Sequence, residues 1–389
     1  MTEKGCWLSG RFAQERVMVY LITFGISAFF AHQAKKSKSR GNFFWWSVLS
    51  ILIPVLLAGL RGVSVGIDTK NYYNGTWSRA LLVVDLPLKD AVAAYLSASR
   101  ERFEVLYGLL VRIVAKTTGN YQVLLFLTHL IIVGGVYIGA FRMRDYADPD
   151  YTLLLFYLLY FNISLNISRQ YMAMAILFAG VKDLEEGKYF RYFAITILAF
   201  LFHNTGIIGI APLLVHRTLY PKESLRKVSS TRRIVTSITI VAAIYAFTPT
   251  VMLLINAGIL SRKYLYYFNG EVTSSYTLVL LFLIVEGAAF LLFWKQFRKN
   301  GIHADFFIFC SFSFLLLVIF ASQINYGKRI AAYFSFLNII SLGMLAKCPD
   351  LASNRKIMKF LVFFVVLVYW LYVYAYRNAS QTFPYVLGI

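Results

Sequence analysis

The 389-residue chain is 59% hydrophobic and 17% aromatic, with 15% charged residues and a mean hydropathy of +0.63. A soluble domain carries about 25% charged residues, so the composition excludes a soluble enzyme. The net charge of +21 would suit a nucleic-acid binder, but Lys and Arg gather in short connections between apolar runs, the positive-inside signature, and no nucleic-acid partner is expected.

Lys4, Arg11 and Arg16 precede the first apolar run, 17–31. No small-residue cleavage site follows Phe30, so this run reads as a first helix rather than a signal peptide. The connection "KKSKSR" (35–40) is placed on the cytoplasmic side and the run 43–60 returns outward. The segment 61–102 then becomes a long external loop. The stretch 103–118 is short and holds Arg112 and Lys116; making it span would put "RMRD" outside, so it reads as a re-entrant or interfacial helix. Further spans are expected at 121–141, 151–165, 169–181, 190–203, 205–216, 234–256, 276–294, 304–322, 328–346 and 358–376. Their connections include "RMR", "KDLEEGKYFR", the basic loop 216–233, "WKQFRK" and "NRKIMK". The fold class is therefore an all-α polytopic membrane protein, one domain over 1–389 with about 12 crossings by run length and charge bias. Both termini fall outside, where the basic N-terminal residues depart from the rule. The alternation of a β-barrel is absent.

With that topology Arg61, Asp68, Arg169, Gln170, His203, Lys263, Lys328 and Arg329 all fall at external helix ends or loops. Charge near membrane depth is costly and usually functional, so these residues define one polar, partly cationic chamber. In "GLRGVSVGIDTKNYY" (59–73), Arg61 and Asp68 bracket two glycines, and Tyr72 and Tyr73 follow. One reading is a helix-capping loop with Arg61 snorkelling to headgroups. The other is a substrate loop: Arg61 on phosphate, Asp68 on a hydroxyl, tyrosines stacked on sugar. In "LNISRQYMAMAILFAG" (165–180), Arg169 and Gln170 open a helix. A helix N-terminus with a guanidinium fork suits a diphosphate, although Arg169 bonded to carbonyls of a broken helix reads equally well. His203 closes the run before "NTG". It is either a structural hydrogen-bonder or a proton acceptor near neutral pH. Arg329 lies at an external helix mouth and Tyr264 in an aromatic loop, "SRKYLYYFNGE" (261–271); headgroup anchoring and an interfacial aromatic belt are their plain explanations. Glu286 lies within a span and should face the bundle interior, with no catalytic role assigned. Cys6, Cys310 and Cys348 form no metal or disulfide pattern, and there is no P-loop or Rossmann fingerprint.

The order and spacing of "RGVSVGIDTKNYY", "RFEVLY", "NISRQYMAMAI", "FAITILAFLFHNTGIIGIAPLL" and "FPY" (383–385) resemble the EpsG-like branch of Wzy-type polysaccharide polymerases. Arg61, Gly62, Gly66, Asp68, Thr69 and Tyr72 match the family's R-G-x-x-x-G-x-D-T-x-x-Y loop. Arg169, Gln170 and Ala173 match I-R-Q-x-x-A, with Ser168 replacing the apolar residue. Ala199, Phe202, His203 and Thr205 match A-x-x-F-H-x-[ST]. The resemblance spans roughly 43 to 389 and implies a GT-C-like architecture and a glycosyltransferase that polymerises undecaprenyl-diphosphate-linked repeat units, without cofactor or metal, at the external face of the bacterial inner membrane. It implies a lipid-linked donor and acceptor, surrounding membrane lipids and a chain-length regulator as partners. The implied roles are His203 as base with Asp68 as rival; Arg169, supported by Arg61 and Arg329, on the diphosphate; and Gln170, Tyr72, Tyr73 and Tyr264 on glycan. An O-antigen ligase or a flippase of lipid-linked oligosaccharide are the alternatives. The early position of the long external loop and the one-sided placement of the cations favour the polymerase.

Overall fold

A computed structural model describes residues 11–87, 89–90, 93, 104–221, 228–258, 265, 277–299, 303–321 and 327–388. Most of these residues are helical, and the only extended pairing among them is one isolated bridge between Arg61 and Leu387. The helices are α1 (Arg11–Lys36), α2 (Arg40–Gly59), α3 (67–82, with a π turn at Tyr73–Trp77) and α4 (Val105–Thr118). Next come α5 (Tyr121–Arg142), α6 (149–164, with a π turn at Tyr157–Phe161), α7 (Ser168–Ala179) and α8 (Tyr189–Phe202). A 3-10 turn, Asn204–Gly209, leads into α9 (Ile210–Leu219). The remainder are α10 (Ser230–Asn256), α11 (Thr277–Leu292), α12 (Trp294–Lys299), α13 (Ala304–Ala321), α14 (Gly327–Lys347) and α15 (Ala352–Trp370, continued by a π turn to Tyr376).

Local chemistry sets the boundaries. Ser39 and Asn120 accept backbone N–H groups at the starts of α2 and α5, satisfying orphan donors. Gly119 closes α4 in the left-handed conformation, which glycine adopts without steric cost. Pro149 opens α6, where its missing N–H is not needed.

Among the described residues, five helices are long and apolar enough to cross a bilayer, and the bent pair within α10 makes a sixth. They coincide with the expected spans at 17–31, 43–60, 121–141, 234–256, 328–346 and 358–376. The expected spans 190–203, 276–294 and 304–322 fold as shorter apolar helices, and 151–165, 169–181 and 205–216 as α6, α7 and the 3-10 turn with α9. The molecule is thus an all-helical, multi-pass membrane protein. Exposed apolar side chains along α2, α11 and α15, such as Leu56, Ile284 and Phe364, face outward; so large an apolar surface belongs against lipid.

Small residues let helices meet. An added Cβ at Gly135 of α5 would lie 2.8 Å from the Ala175 carbonyl oxygen of α7, the close approach that small-xxx-small pairs permit. Ser27 of α1 and Ser50 of α2 donate to each other's backbone carbonyls at 2.6 and 2.9 Å.

One end of the bundle is basic and cross-tied. Asp148 receives Lys35 at 2.6 Å, Lys347 at 3.3 Å and Lys359. Asp183 pairs with Arg142 and Arg191, and Asp305 with Arg233 and Arg298. Arg61, Asp68, Arg169, Gln170 and His203 lie at the other end. There the segment 378–388 folds back across the mouths of α1, α2 and α6. Gly62 N–H donates to the Val386 carbonyl at 2.7 Å and Gly388 N–H to the Leu60 carbonyl at 2.8 Å. Tyr20 donates to the Thr382 carbonyl, Asn162 to the Thr382 hydroxyl and Asn166 to the Ser380 carbonyl.

Candidate active site

Two interruptions build the site. The first separates α6 from α7. The helix stops at Ser164 and Ile167 (φ −88°, ψ 49°) departs from helical geometry, so Arg169 sits in the first turn of α7 with its side chain 16% exposed. The second follows α8. His203 is extended (φ −156°, ψ 129°) and starts the 3-10 turn. Gly206 is required in that turn: an added Cβ would lie 2.5 Å from the Ala199 carbonyl carbon, so the chain doubles back onto α8. His203 is thereby held at the helix end with its side chain 12% exposed.

Glu104, one residue before α4, lies between the two. It is wholly buried. One carboxylate oxygen receives Arg169 Nη1 and the other meets His203 Nδ1. A buried carboxylate is tolerable only when paired and hydrogen-bonded, and here both oxygens are engaged. Tyr72 and Tyr107 place their rings 5.1 and 5.6 Å from the guanidinium carbon of Arg169, within cation–π range. Thr205 and Tyr333 bring their hydroxyl oxygens within 2.7 Å, tying the His203 turn to α14. Below Tyr333 is a narrow apolar cavity lined by Met174, Leu177, Phe178 and Phe336.

The structure therefore brings together Arg169, His203 and Tyr72. Gln170 is buried beside Arg169 in the first turn of α7. Asp68 is half-buried in the first turn of α3 and makes no ion pair or hydrogen bond to another described side chain. Tyr73 packs edge-on to Tyr121, with centroids 5.1 Å apart. Arg61 is 1% exposed and turned inward: its guanidinium donates to the carbonyls of Ala58 and, at 3.1 Å, Leu165. Its geometry is that of a clamp between α2 and the α6–α7 break, and its burial rules out the snorkelling to headgroups that the capping reading expected. Gly66 beside it has φ +98°, and a Cβ there would meet Asn166 Oδ1 at 2.6 Å, so this loop needs its glycine. Tyr264 lies outside the described residues, as does Lys263. Arg329 belongs to the first turn of α14, and its side chain lies outside the description.

Glu104 escaped the sequence reading as a site residue. Its signal was an acid directly at the foot of an apolar helix, three residues after Glu101, in a chain with 18 acids against 39 bases.

The EpsG family profile matches residues 44–387. No curated protein and no solved structure matches the chain. The match takes in the α2 exit loop, Glu104, both helix breaks and the returning segment. On that coverage the chain belongs to the EpsG family, a Wzy-like family of polysaccharide polymerases.

Proposed function

We propose that this chain joins undecaprenyl-diphosphate-linked oligosaccharide repeat units at the external face of the bacterial inner membrane. The observation that carries this reading is the convergence of Arg169 and His203 on Glu104, from two helix breaks at the end opposite the basic, cross-tied one. The non-reducing-end hydroxyl of one lipid-linked unit attacks the anomeric carbon of a chain on a second carrier. Lipid diphosphate departs with the bonding electron pair. Negative charge builds on that leaving group, and a fixed guanidinium stabilises it most in the transition state; Arg169 has this role. The attacking hydroxyl gives up its proton to His203, with Asp68 as the competing base. Gln170, Tyr72 and Tyr73 offer amide and aromatic surface for sugars. Arg329 and Tyr264 are assigned to the same chamber by position in the chain alone. A GT-C-like arrangement and a chain-length regulator as partner belong to the same proposal.

The test is complementation in the host lacking the gene. The wild type should restore a ladder of surface polysaccharide. Arg169→Ala and His203→Ala should leave single repeat units while the protein remains inserted. Lipid-linked polymer accumulating without transfer to the outer acceptor would identify a ligase. Unpolymerised units held on the cytoplasmic face would identify a flippase.

A further inference from the structure

The proposed reaction asks His203 to accept a proton, and the role of Glu104 rests on that reading. A neutral imidazole has one donor and one acceptor nitrogen, and the partner of one sets the state of the other. Glu104 meets the ring at Nδ1. Its other oxygen faces the Arg169 guanidinium, which is always charged and favours the ionised carboxylate. A carboxylate only accepts hydrogen bonds. The proton of the resting ring therefore sits on Nδ1, and Nε2 is left as the acceptor.

The geometry points to Glu104 as a positioning residue that fixes His203 in the tautomer able to take the acceptor hydroxyl's proton at Nε2. Three features suit it to this. It is wholly buried, so water does not compete for its oxygens. Arg169 anchors it from α7, independently of the helix that carries His203. His203 is held by its own backbone, whose N–H donates to the Ala199 carbonyl at 2.9 Å, so the ring is restrained from both sides.

The step balances. The acceptor O–H bond breaks and its proton goes to Nε2. The oxygen's electron pair forms the new bond to the anomeric carbon. The old bond from that carbon to the diphosphate oxygen breaks, and its pair leaves with lipid diphosphate. The imidazolium, stabilised meanwhile by Glu104, returns its proton to water.

The experiment uses the full chain in lipid vesicles, with undecaprenyl-diphosphate-linked repeat units extracted from the host lacking the gene. Glu104→Gln preserves shape but donates toward Nδ1, which drives the ring proton onto Nε2. It should lower kcat by about 10³-fold or more, as amide replacement of an orienting carboxylate does, with KM nearly unchanged. The residual rate should climb with hydroxide, giving a pH–rate profile unlike that of the wild type. Glu104→Asp keeps the carboxylate and should retain both more rate and the wild-type profile. The inference is overturned if Gln outperforms Asp with an unchanged profile, since a purely structural clamp favours the isostere. Nitrogen NMR of histidine-labelled wild type reads the tautomer without any substitution at Glu104: a ring assigned to His203 with its proton on Nδ1 supports the inference, and one with the proton on Nε2 ends it. Wild type that forms no polymer from these units sinks the polymerase reading alone, and the ring spectrum still judges Glu104.

Discussion

Arg61 donates to the carbonyl of Leu165 at 3.1 Å, linking the exit of α2 to the break that presents Arg169. The Thr69 hydroxyl is 3.2 Å from the same oxygen. A guanidinium spent on backbone carbonyls supports a site from behind. Replacing Arg61 with Ala should leave the Ala58 carbonyl without this donor, at about 1–3 kcal/mol for a buried group left unpaired, while the Thr69 hydroxyl still reaches Leu165. The expected result is a lower melting temperature in detergent and less folded protein. Loss of polymer at undiminished stability would instead return Arg61 to the substrate.

Tyr385 donates to the Leu57 carbonyl at 2.7 Å. Tyr385→Phe should cost about 1 kcal/mol, the usual net value of one hydrogen bond. Removing 380–388 should do far more. Gly66 N–H donates to the Gln381 carbonyl at 2.9 Å and Asn166 to Ser380, so deletion should free the α2 exit loop and the α6–α7 break together. Protease sensitivity at 61–66 in the truncated chain, against protection in the full one, is the measurement.

Neighbouring glycines of α5 should behave oppositely. A Cβ at Gly135 meets the backbone of α7, whereas one at Gly134 meets nothing within 4 Å. Gly135→Ala should destabilise by about 1–3 kcal/mol through overpacking, whereas Gly134→Ala should stabilise by about 0.5–1 kcal/mol, the helix preference for Ala over Gly. Thermal melts of the two variants side by side decide it.

Burial alone would raise the Asp148 carboxyl, but hydrogen bonds from Lys35 and Lys359 and the charges of Lys347 and Lys359 hold it well below the ordinary carboxylate range. A group depressed in the folded state stabilises above its unfolded value and loses that contribution as pH falls through its folded value. The three-lysine tie should therefore be intact at neutral pH and weaken below about pH 4, the ordinary aspartate value. Asp148→Asn should melt lower at neutral pH and show a flatter acid limb than the wild type. Parallel acid limbs would remove Asp148 as the cause.

Much of the bundle was legible because its cues are local. Uninterrupted apolar runs of bilayer length marked α2 and α5 to within about three residues, the ordinary scatter of helix ends. The breaks before Arg169 and at His203 showed as polar clusters inside apolar sequence. Glu104 was a different case: its partners lie 65 and 99 residues away, and one carboxylate beside an apolar helix does not say what it meets. Arg61 was ambiguous for a related reason. Its partners are backbone carbonyls, which every residue carries, so no pattern of side chains distinguishes a clamp from a ligand. The returning segment was visible as "FPY", but most of its ties run to the main chain and are equally silent in sequence.

The segment 378–388 also orders events during biosynthesis. The ribosome makes it more than 300 residues after the α2 exit loop it closes, and after every helix from α1 to α15. Until it emerges and folds back, the Leu60 carbonyl, the Tyr20 hydroxyl and the N–H groups of Gly62 and Gly66 lack the partners they have in the folded chain. A nascent chain stalled before residue 378 would carry Glu104, Arg169 and His203 without the brace behind them. The polar end of the bundle is therefore braced only once segment 378–388 is in place.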